Sequence, residues 1–400
     1  MIKKKKILYI HHGSGIGGAP LSLLYLIKEI DRNKYTPKVL FIANSDVVEL
    51  YKNNGIDYSI CKPWRILNNY RIFNHNTADW IKWWEIHRII FSVLAFIYSV
   101  FFYNKKYLKK EQPDIVHLNS STLLSWTISS AFLNIPVVFH IRERIVNGYF
   151  GIRKIIIKYI VNKYVNKVIA ISQDNARFLG LPDKTKVVYN FVDFNTFNKS
   201  IKPAEININV KNKKIVIYTG GRIKIKGFNI LVDALNYLSP NIIVLFAGYY
   251  NYRNTFKMKI INLLTKKKKY LDKLYNSSNA YVIGVQKNIA EWIALSDLLI
   301  FPAIVPHFAR PVIEAGAIGK PVIATNLEGI EELVINNFNG LLVKPNDSKD
   351  LAEKINYICA NENIAEKLGE NGYERSLKLF NAEINAIETI SVYDEILLSK

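Results

Sequence analysis

Cysteine is nearly absent, with Cys61 and Cys359 the only two in 400 residues. Two thiols cannot build a disulfide framework or a four-ligand zinc site, which points to a reducing compartment. Acid is scarce too: Asp plus Glu is 33 against 54 Lys plus Arg, a formal net charge of +21. Such a surface attracts polyanions, whether nucleic acid, an anionic membrane or phosphorylated substrates. No zinc finger, RNA-recognition signature or homeodomain accompanies the charge. Nucleic acid is therefore not an expected partner, and a membrane surface or a phosphate-bearing ligand is. Long hydrophobic runs are also missing. The longest charge-free apolar run, Ile89 to Tyr103, has 15 residues, short of the roughly 20 that a spanning helix needs. The start, Met1-Ile2-Lys3-Lys4-Lys5-Lys6, leads into a brief strand-like run before His11 and Gly13, a poor signal peptide. Core-forming material is plentiful: half the residues are hydrophobic and 12% aromatic. That suffices for two or three domains and excludes general disorder.

Short β-branched runs recur between helix-length segments. In the first half they are Ile7–Ile10, Val39–Ala43, Ile115–Leu118, Val137–His140, Val168–Ile171 and Val187–Tyr189. The second half has Lys214–Gly220, Ile242–Ala247, Ala280–Ile283, Leu298–Phe301, Val322–Thr325 and Leu341–Val343. Apolar strands alternating with helices predict parallel sheets covered on both faces. A polar stretch from Asn198 to Glu205 interrupts the series and reads as a linker. The expected architecture is two doubly wound α/β domains, 1–197 and 206–378, with a terminal helix in 379–400 returning to the first. Ligands in such sheets sit beyond the carboxyl ends of the strands.

Three motifs follow strands. Gly13, Gly15 and Gly18 satisfy a G-x-G-x-x-G pattern between a strand and a helix. A nicotinamide dinucleotide also needs an acid at the end of the second strand, and Asn44 and Ser45 follow Val39–Ala43. The glycines fit another phosphate or a sugar, or a tight turn with no ligand. The second motif is Gly220-Gly221-Arg222-Ile223-Lys224-Ile225-Lys226-Gly227, where Arg222 and Lys226 are placed to clamp a diphosphate. The third is Glu314, early in a helix of small and apolar residues, a carboxylate suited to the hydroxyls of a ribose.

Together these pieces resemble a retaining family 4 glycosyltransferase, and the matches run almost end to end. They include Gly17-Gly18-Ala19, Pro113-Asp114-Ile115-Val116-His117, Val137-Val138-Phe139-His140-Ile141-Arg142-Glu143 and Asn190-Phe191-Val192-Asp193. Gly221-Arg222 with Lys226-Gly227, Ile313-Glu314-Ala315 and Gly319-Lys320-Pro321-Val322 continue the series. The resemblance implies a GT-B fold, two Rossmann-like domains facing an interdomain cleft, and a nucleotide-sugar donor. It assigns Arg222 and Lys226 to the donor diphosphate and Glu314 to the ribose. Gly284, Val285 and Gln286 fall to the base, Gly17 and Gly18 to the loop facing donor and acceptor, and His140 to the transferred sugar. Pro306 stands where the first glutamate of the family's E-x7-E motif falls, so sugar contacts are expected from His307 or the backbone around Phe308 and Ala309. Arg222 and Lys226 are one residue closer than is common, and Glu328 replaces a glycine before Gly329. Neither cofactor nor metal is expected, because the basic residues take the role of a cation at the leaving diphosphate.

A last feature is the stretch from Asp79 to Lys110. Trp80, Trp83 and Trp84 precede the apolar run, and Lys105, Lys106, Lys109 and Lys110 follow it. It reads either as an interfacial anchor on an anionic membrane or as a helix packed on the sheet. Gly151–Lys167 adds five basic residues and no acid. The expectation is a cytoplasmic enzyme, peripheral on the inner face of the cell membrane. It would move a sugar from a UDP-, GDP- or dTDP-sugar to a glycan or lipid-linked acceptor in surface polysaccharide assembly. A nucleotide-sugar 2-epimerase and a non-catalytic nucleotide-sugar or glycan-binding subunit are the alternatives.

Overall fold

Strand runs without polar alternation bury both faces, and the sheets form accordingly. The computed structural model describes residues 3–12, 15, 17–62, 86–145, 147–208, 210–248 and 267–399. Gly13 of the glycine pattern, Asp79–Glu85 with its three tryptophans, and Lys266 lie outside the described residues. The chain divides into two compact units, Met1–Asn190 with Ala382–Lys400, and Phe191–Asn381.

The first unit carries a seven-stranded parallel sheet in the order β3-β2-β1-β4-β5-β6-β7. The strands are β1 Lys5–His11, β2 Tyr35–Phe41, β3 Tyr58–Ile60, β4 Ile115–Leu118, β5 Val137–Ile141, β6 Lys167–Ala170 and β7 Thr185–Val187. Successive side chains on a strand point to opposite faces, and the in-register pairs Tyr9↔His117 and His117↔Val138 align that alternation across the sheet. One face is wholly apolar, with Leu8, Ile10, Val116, Leu118, Phe139 and Ile141 packed with Trp126 and Ile157. Each such side chain contributes about 1.5–3 kcal/mol by leaving water. The other face presents Tyr9, His11, His117 and His140, all buried. It is covered by the C-terminal helix Ala382–Leu398, whose Tyr393 ring meets His117 edge-on at 5.8 Å.

The second unit has a six-stranded parallel sheet in the order β10-β9-β8-β11-β12-β13. Its strands are β8 Lys214–Tyr218, β9 Ile242–Ala247, β10 Ala280–Gly284, β11 Leu298–Phe301, β12 Val322–Thr325 and β13 Gly340–Val343. Residues 198–205, expected as a linker, belong to this unit. Lys199 pairs with Glu370 and lies 4.1 Å over the Tyr373 ring, and the Ala204 amide donates to the Glu291 carbonyl at 3.0 Å. The division falls earlier, after Asn190. In both sheets the order reverses between the first and fourth strands of the unit, β1/β4 and β8/β11. Ligands of doubly wound sheets bind beyond the carboxyl ends of the strands at such a reversal. Cys61 and Cys359 are both buried free thiols.

Candidate active site

In the second unit the loop after β8 is shaped by glycine. Gly221 takes φ +58°, and its amide donates to the Ala247 carbonyl at 3.1 Å. Gly227 takes φ +82°, and a Cβ there would lie 1.7 Å from the Pro302 carbonyl oxygen. Only glycine allows that approach. The loops after β8 and β11 are thus locked together, with the Ile304 amide donating to the Ile225 carbonyl at 3.0 Å. Lys226 lies at this junction, its carbonyl accepting from the Tyr218 hydroxyl at 3.2 Å. Burial pushes its ammonium pKa down, and the Glu314 carboxylate pulls it up. A desolvated cation of this kind holds a phosphate more strongly than a solvated lysine. Arg222 occupies the same loop, half-buried.

Glu314 lies in the helix Arg310–Ile318, whose first turn carries Pro311. It is buried, and its Oε1 accepts from Arg310 Nε at 2.7 Å. Arg310 was missing from the expected site, although its spacing of four residues before Glu314 is the signal for a helical ion pair. His307 is held by Nδ1 against the Val305 carbonyl at 2.9 Å and edge-on to Phe301 at 5.0 Å. Phe308 turns its ring edge-on to Phe380, and Ala309 is buried ahead of the helix. Gly284 ends β10 at φ +71°, its carbonyl accepting from the Gly248 amide at 2.7 Å. Val285 is exposed beside it, while the Gln286 side-chain amide folds back onto the Ile283 carbonyl. Lys226, His307 and Glu314 therefore converge, while Gly284–Gln286 follow β10, two strands from β8 in the same sheet.

In the first unit Gly17 precedes the helix Gly18–Glu29, and a Cβ on Gly17 would meet nothing within 4 Å. This position is open space rather than a forced glycine. His140 is the penultimate residue of β5, on the polar face of the sheet and 2% exposed. Its Nδ1 lies 3.1 Å from His117 Nε2, and His117 Nδ1 lies 2.8 Å from the Tyr393 hydroxyl. The His140 Nε2 is buried with no hydrogen-bond partner among the described residues. Arg142, one residue beyond the end of β5, has no expected role in the sequence. Its Nε donates to Asn119 Oδ1 at 2.8 Å and its Nη1 to Asn190 Oδ1 at 2.6 Å, while Asn119 Nδ2 lies 3.2 Å from His11 Nδ1. Burial, with the Arg142 charge next, drives the His140 and His117 pKa values well below the ordinary imidazole value. Glu143 fixes the turn after β4, one oxygen accepting from Ser120 Oγ, the Ser121 amide and Ser121 Oγ at 2.9, 2.9 and 2.6 Å. The missed signal was positional: His117 with Asn119, and His140 with Arg142, are polar residues two apart at the ends of adjacent apolar strands. Among the described residues no three His, Cys, Asp or Glu side chains gather as a metal ion requires.

The first unit also carries an exposed apolar face. The helix Ile86–Tyr98 continues through a π-helical turn, Ser99–Tyr103, into Asn104–Glu111. The uninterrupted Ile89–Glu111 is, by length and composition, enough to cross a membrane, longer than the apolar run suggested, and 28% of its most apolar window is buried. The buried stripe is Ala95, Ser99, Val100, Asn104 and Leu108. It packs on the helix Leu124–Ala131, with Ser129 Oγ donating to the Val100 carbonyl at 3.0 Å. The opposite face exposes Ile90, Phe91, Leu94, Ile97, Phe101 and Phe102. The helix Ile152–Tyr164 exposes Ile152, Ile155 and Tyr159 in the same unit.

Both halves of the chain match family models: residues 16–196 match Glycosyltransferase Family 4, and residues 201–375 match Glycosyl transferases group 1. An uncharacterized glycosyltransferase of Methanocaldococcus jannaschii is 30% identical over 53% of this chain, which spans 58% of that relative's length. The Campylobacter jejuni N,N'-diacetylbacillosaminyl-diphospho-undecaprenol alpha-1,3-N-acetylgalactosaminyltransferase is 23% identical over 74% of this chain and 81% of its own. Among solved structures, Anabaena HepE in complex with UDP and glucose has a TM-score of 0.76 at 21% identity, covering 98% of this chain and 99% of that one. The two Rossmann-like units are those of the GT-B fold.

Proposed function

The chain belongs to the family 4 glycosyltransferases, and on that premise we propose that it is a retaining, metal-independent enzyme using a UDP-sugar donor. The acceptor is a lipid-linked or other glycan in surface polysaccharide assembly. One observation carries the reading: half-buried Lys226 lies in the field of Glu314, beside Arg222 on a glycine-shaped loop at the switch point of the second sheet. That cluster combines cations for a diphosphate with a buried carboxylate for ribose hydroxyls.

As the bond between the sugar and the diphosphate lengthens, negative charge builds on the leaving phosphate oxygens. Arg222 and Lys226 stabilise it, and a half-buried, partly desolvated cation needs less reorganisation to do so than a fully solvated one. Glu314, oriented by Arg310, accepts from the ribose hydroxyls. His140 holds a hydroxyl of the transferred sugar, and the acceptor oxygen attacks from the face the diphosphate leaves, which retains configuration. UDP as donor nucleotide draws support from the HepE complex. A lipid-linked acceptor draws support from the diphospho-undecaprenol substrate named for the Campylobacter relative.

The apolar face of the first unit takes an anionic lipid bilayer as its occupant, at the inner face of the cell membrane. Exposed Phe101 and Phe102 adjoin Lys106, Lys109 and Lys110, so apolar insertion and charge attraction act at one place. The buried stripe keeps the helix on its own unit, so it lies along the interface rather than across it.

A binding screen of UDP, GDP, dTDP and their sugars, followed by turnover with a chelator present, tests the function. UDP-sugar hydrolysis or transfer that survives chelation is expected. Release of an epimerised donor with no free nucleotide would make the chain an epimerase. Tight donor binding without turnover on any acceptor would make it a binding subunit.

A further inference from the structure

The polar face of the first sheet contains a hydrogen-bonded series that ends on an atom with no partner. The Tyr393 hydroxyl meets His117 Nδ1 at 2.8 Å, and His117 Nε2 meets His140 Nδ1 at 3.1 Å. His140 Nε2 is buried and unpartnered among the described residues. We propose that Tyr393, through His117, fixes the tautomer of His140 so that its Nε2 carries the proton and donates to a hydroxyl oxygen of the transferred sugar. The proposal rests on the assignment of His140 to that sugar.

The argument is a count of protons. Both rings are neutral, since burial and the Arg142 charge oppose an imidazolium. A neutral imidazole has one N–H and one lone pair. One proton then lies between His117 Nε2 and His140 Nδ1. If His117 owns it, His117 Nδ1 is bare and accepts from the Tyr393 phenol, and His140 carries its own proton on the unpartnered Nε2. If His140 owns it, His117 Nδ1 presents a hydrogen to the phenol oxygen, and the phenol proton must turn elsewhere. It can turn only to the neighbouring Tyr9 hydroxyl oxygen, which leaves the buried Tyr9 proton with no acceptor, whereas in the first arrangement Tyr9 can donate to the Tyr393 oxygen. Tyr35, packed edge-on at 6.2 Å, has its hydroxyl committed to Asp394. The second arrangement strands a buried donor, so the first prevails. Tyr393 is thereby a positioning residue: it acts on the sugar through two rings, from a helix 276 residues along the chain from His117.

Nitrogen-15 histidine spectra of the whole protein read the tautomer directly. Wild type should show His140 with a protonated Nε2 and a bare Nδ1. Tyr393→Phe should mix the two tautomers and lower kcat about tenfold, less than the roughly 10²–10⁴-fold that removing a positioned proton donor costs, because His140 stays in place and only its tautomer is loosened. UDP affinity should stay within about twofold. His117→Gln, whose amide nitrogen and oxygen reproduce the donor and acceptor, should recover most of the rate lost in His117→Phe, which also controls for packing. A wild-type His140 protonated on Nδ1, or a Tyr393→Phe enzyme with wild-type rate and tautomer, would overturn the relay. His140→Ala with full turnover would instead overturn the assignment of His140 to the sugar, while the wild-type tautomer would still judge the relay.

Discussion

Arg310 holds Glu314 by one carboxylate oxygen, Nε to Oε1 at 2.7 Å, one helical turn apart and both largely buried. The guanidinium fixes the carboxylate's rotamer, which under the proposed function would offer a ribose a preset acceptor rather than a mobile one. Glu314→Ala should weaken a ribonucleotide by about 1.5–3 kcal/mol, the range for hydrogen bonds to charged groups. A nucleotide lacking both ribose hydroxyls should lose much less. Calorimetric titration of both ligands decides; equal losses would reduce Glu314 to a partner of Arg310.

Arg222→Ala and Lys226→Ala should each weaken UDP by about 1.5–3 kcal/mol and leave uridine binding nearly unchanged. The two cations differ in pH response. The Lys226 pKa is lowered by burial, so its charge is lost as pH rises through a value below that of an ordinary lysine. UDP affinity of the wild type should decline in that alkaline range. The decline should vanish in Lys226→Ala and persist in Arg222→Ala, and a titration showing the same decline in Lys226→Ala would remove Lys226 from the phosphate.

Much of this second site was legible because its chemistry is local. Glycines, cations and the carboxylate sit in short segments after apolar strands, and proximity along the chain stands in for proximity in space. The first unit was less legible for the opposite reason. Tyr393 reaches His117 across 276 residues, and no local pattern marks it. His140 stands out in Val137-Val138-Phe139-His140-Ile141 as one polar residue in a buried strand, but its partners His117 and Tyr393 come from distant segments. The edge strand β3, Tyr58–Ile60, is short and half-buried, too weak a signal beside the glycine turn before it. The boundary was placed at the most polar stretch, but Lys199 and Ala204 spend their polar groups on the second unit.

Three buried histidines, His11, His117 and His140, have pKa values well below the ordinary 6.5. Below that ordinary value the unfolded chain binds protons that the native protein refuses, so stability falls as pH falls. Each contributes at most about 1.4 kcal/mol per pH unit until its folded pKa is reached. Denaturant midpoints of the wild type should fall steeply between about pH 6.5 and 5 and vary little from these groups above 7. Replacing His11 by Gln should flatten the slope by about one third of this contribution; an unaltered slope would mean that His11 is solvated.

The exposed helix face yields the last prediction. Lys105 is partly occupied by aromatic rings, 4.3 Å from Phe132 and 5.5 Å from Phe101, whereas Lys106, Lys109 and Lys110 stand exposed. Each basic side chain near an anionic surface contributes about 1 kcal/mol, screened over a Debye length of about 10 Å at 0.1 M salt. Phe101 and Phe102, 50% and 64% exposed, supply the apolar component that salt does not screen. Co-sedimentation with vesicles containing anionic lipid should therefore fall when Lys105, Lys106, Lys109 and Lys110 become Gln, and should fall with added salt. Phe101→Ser with Phe102→Ser should weaken binding at every salt concentration, because it removes insertion rather than attraction. Neither change touches the buried stripe of Ala95, Ser99, Val100, Asn104 and Leu108, so the helix stays folded on its unit and UDP binding is kept. Vesicle binding indifferent to lipid charge and to both sets of substitutions would make this face ordinary protein surface and move the acceptor off the membrane.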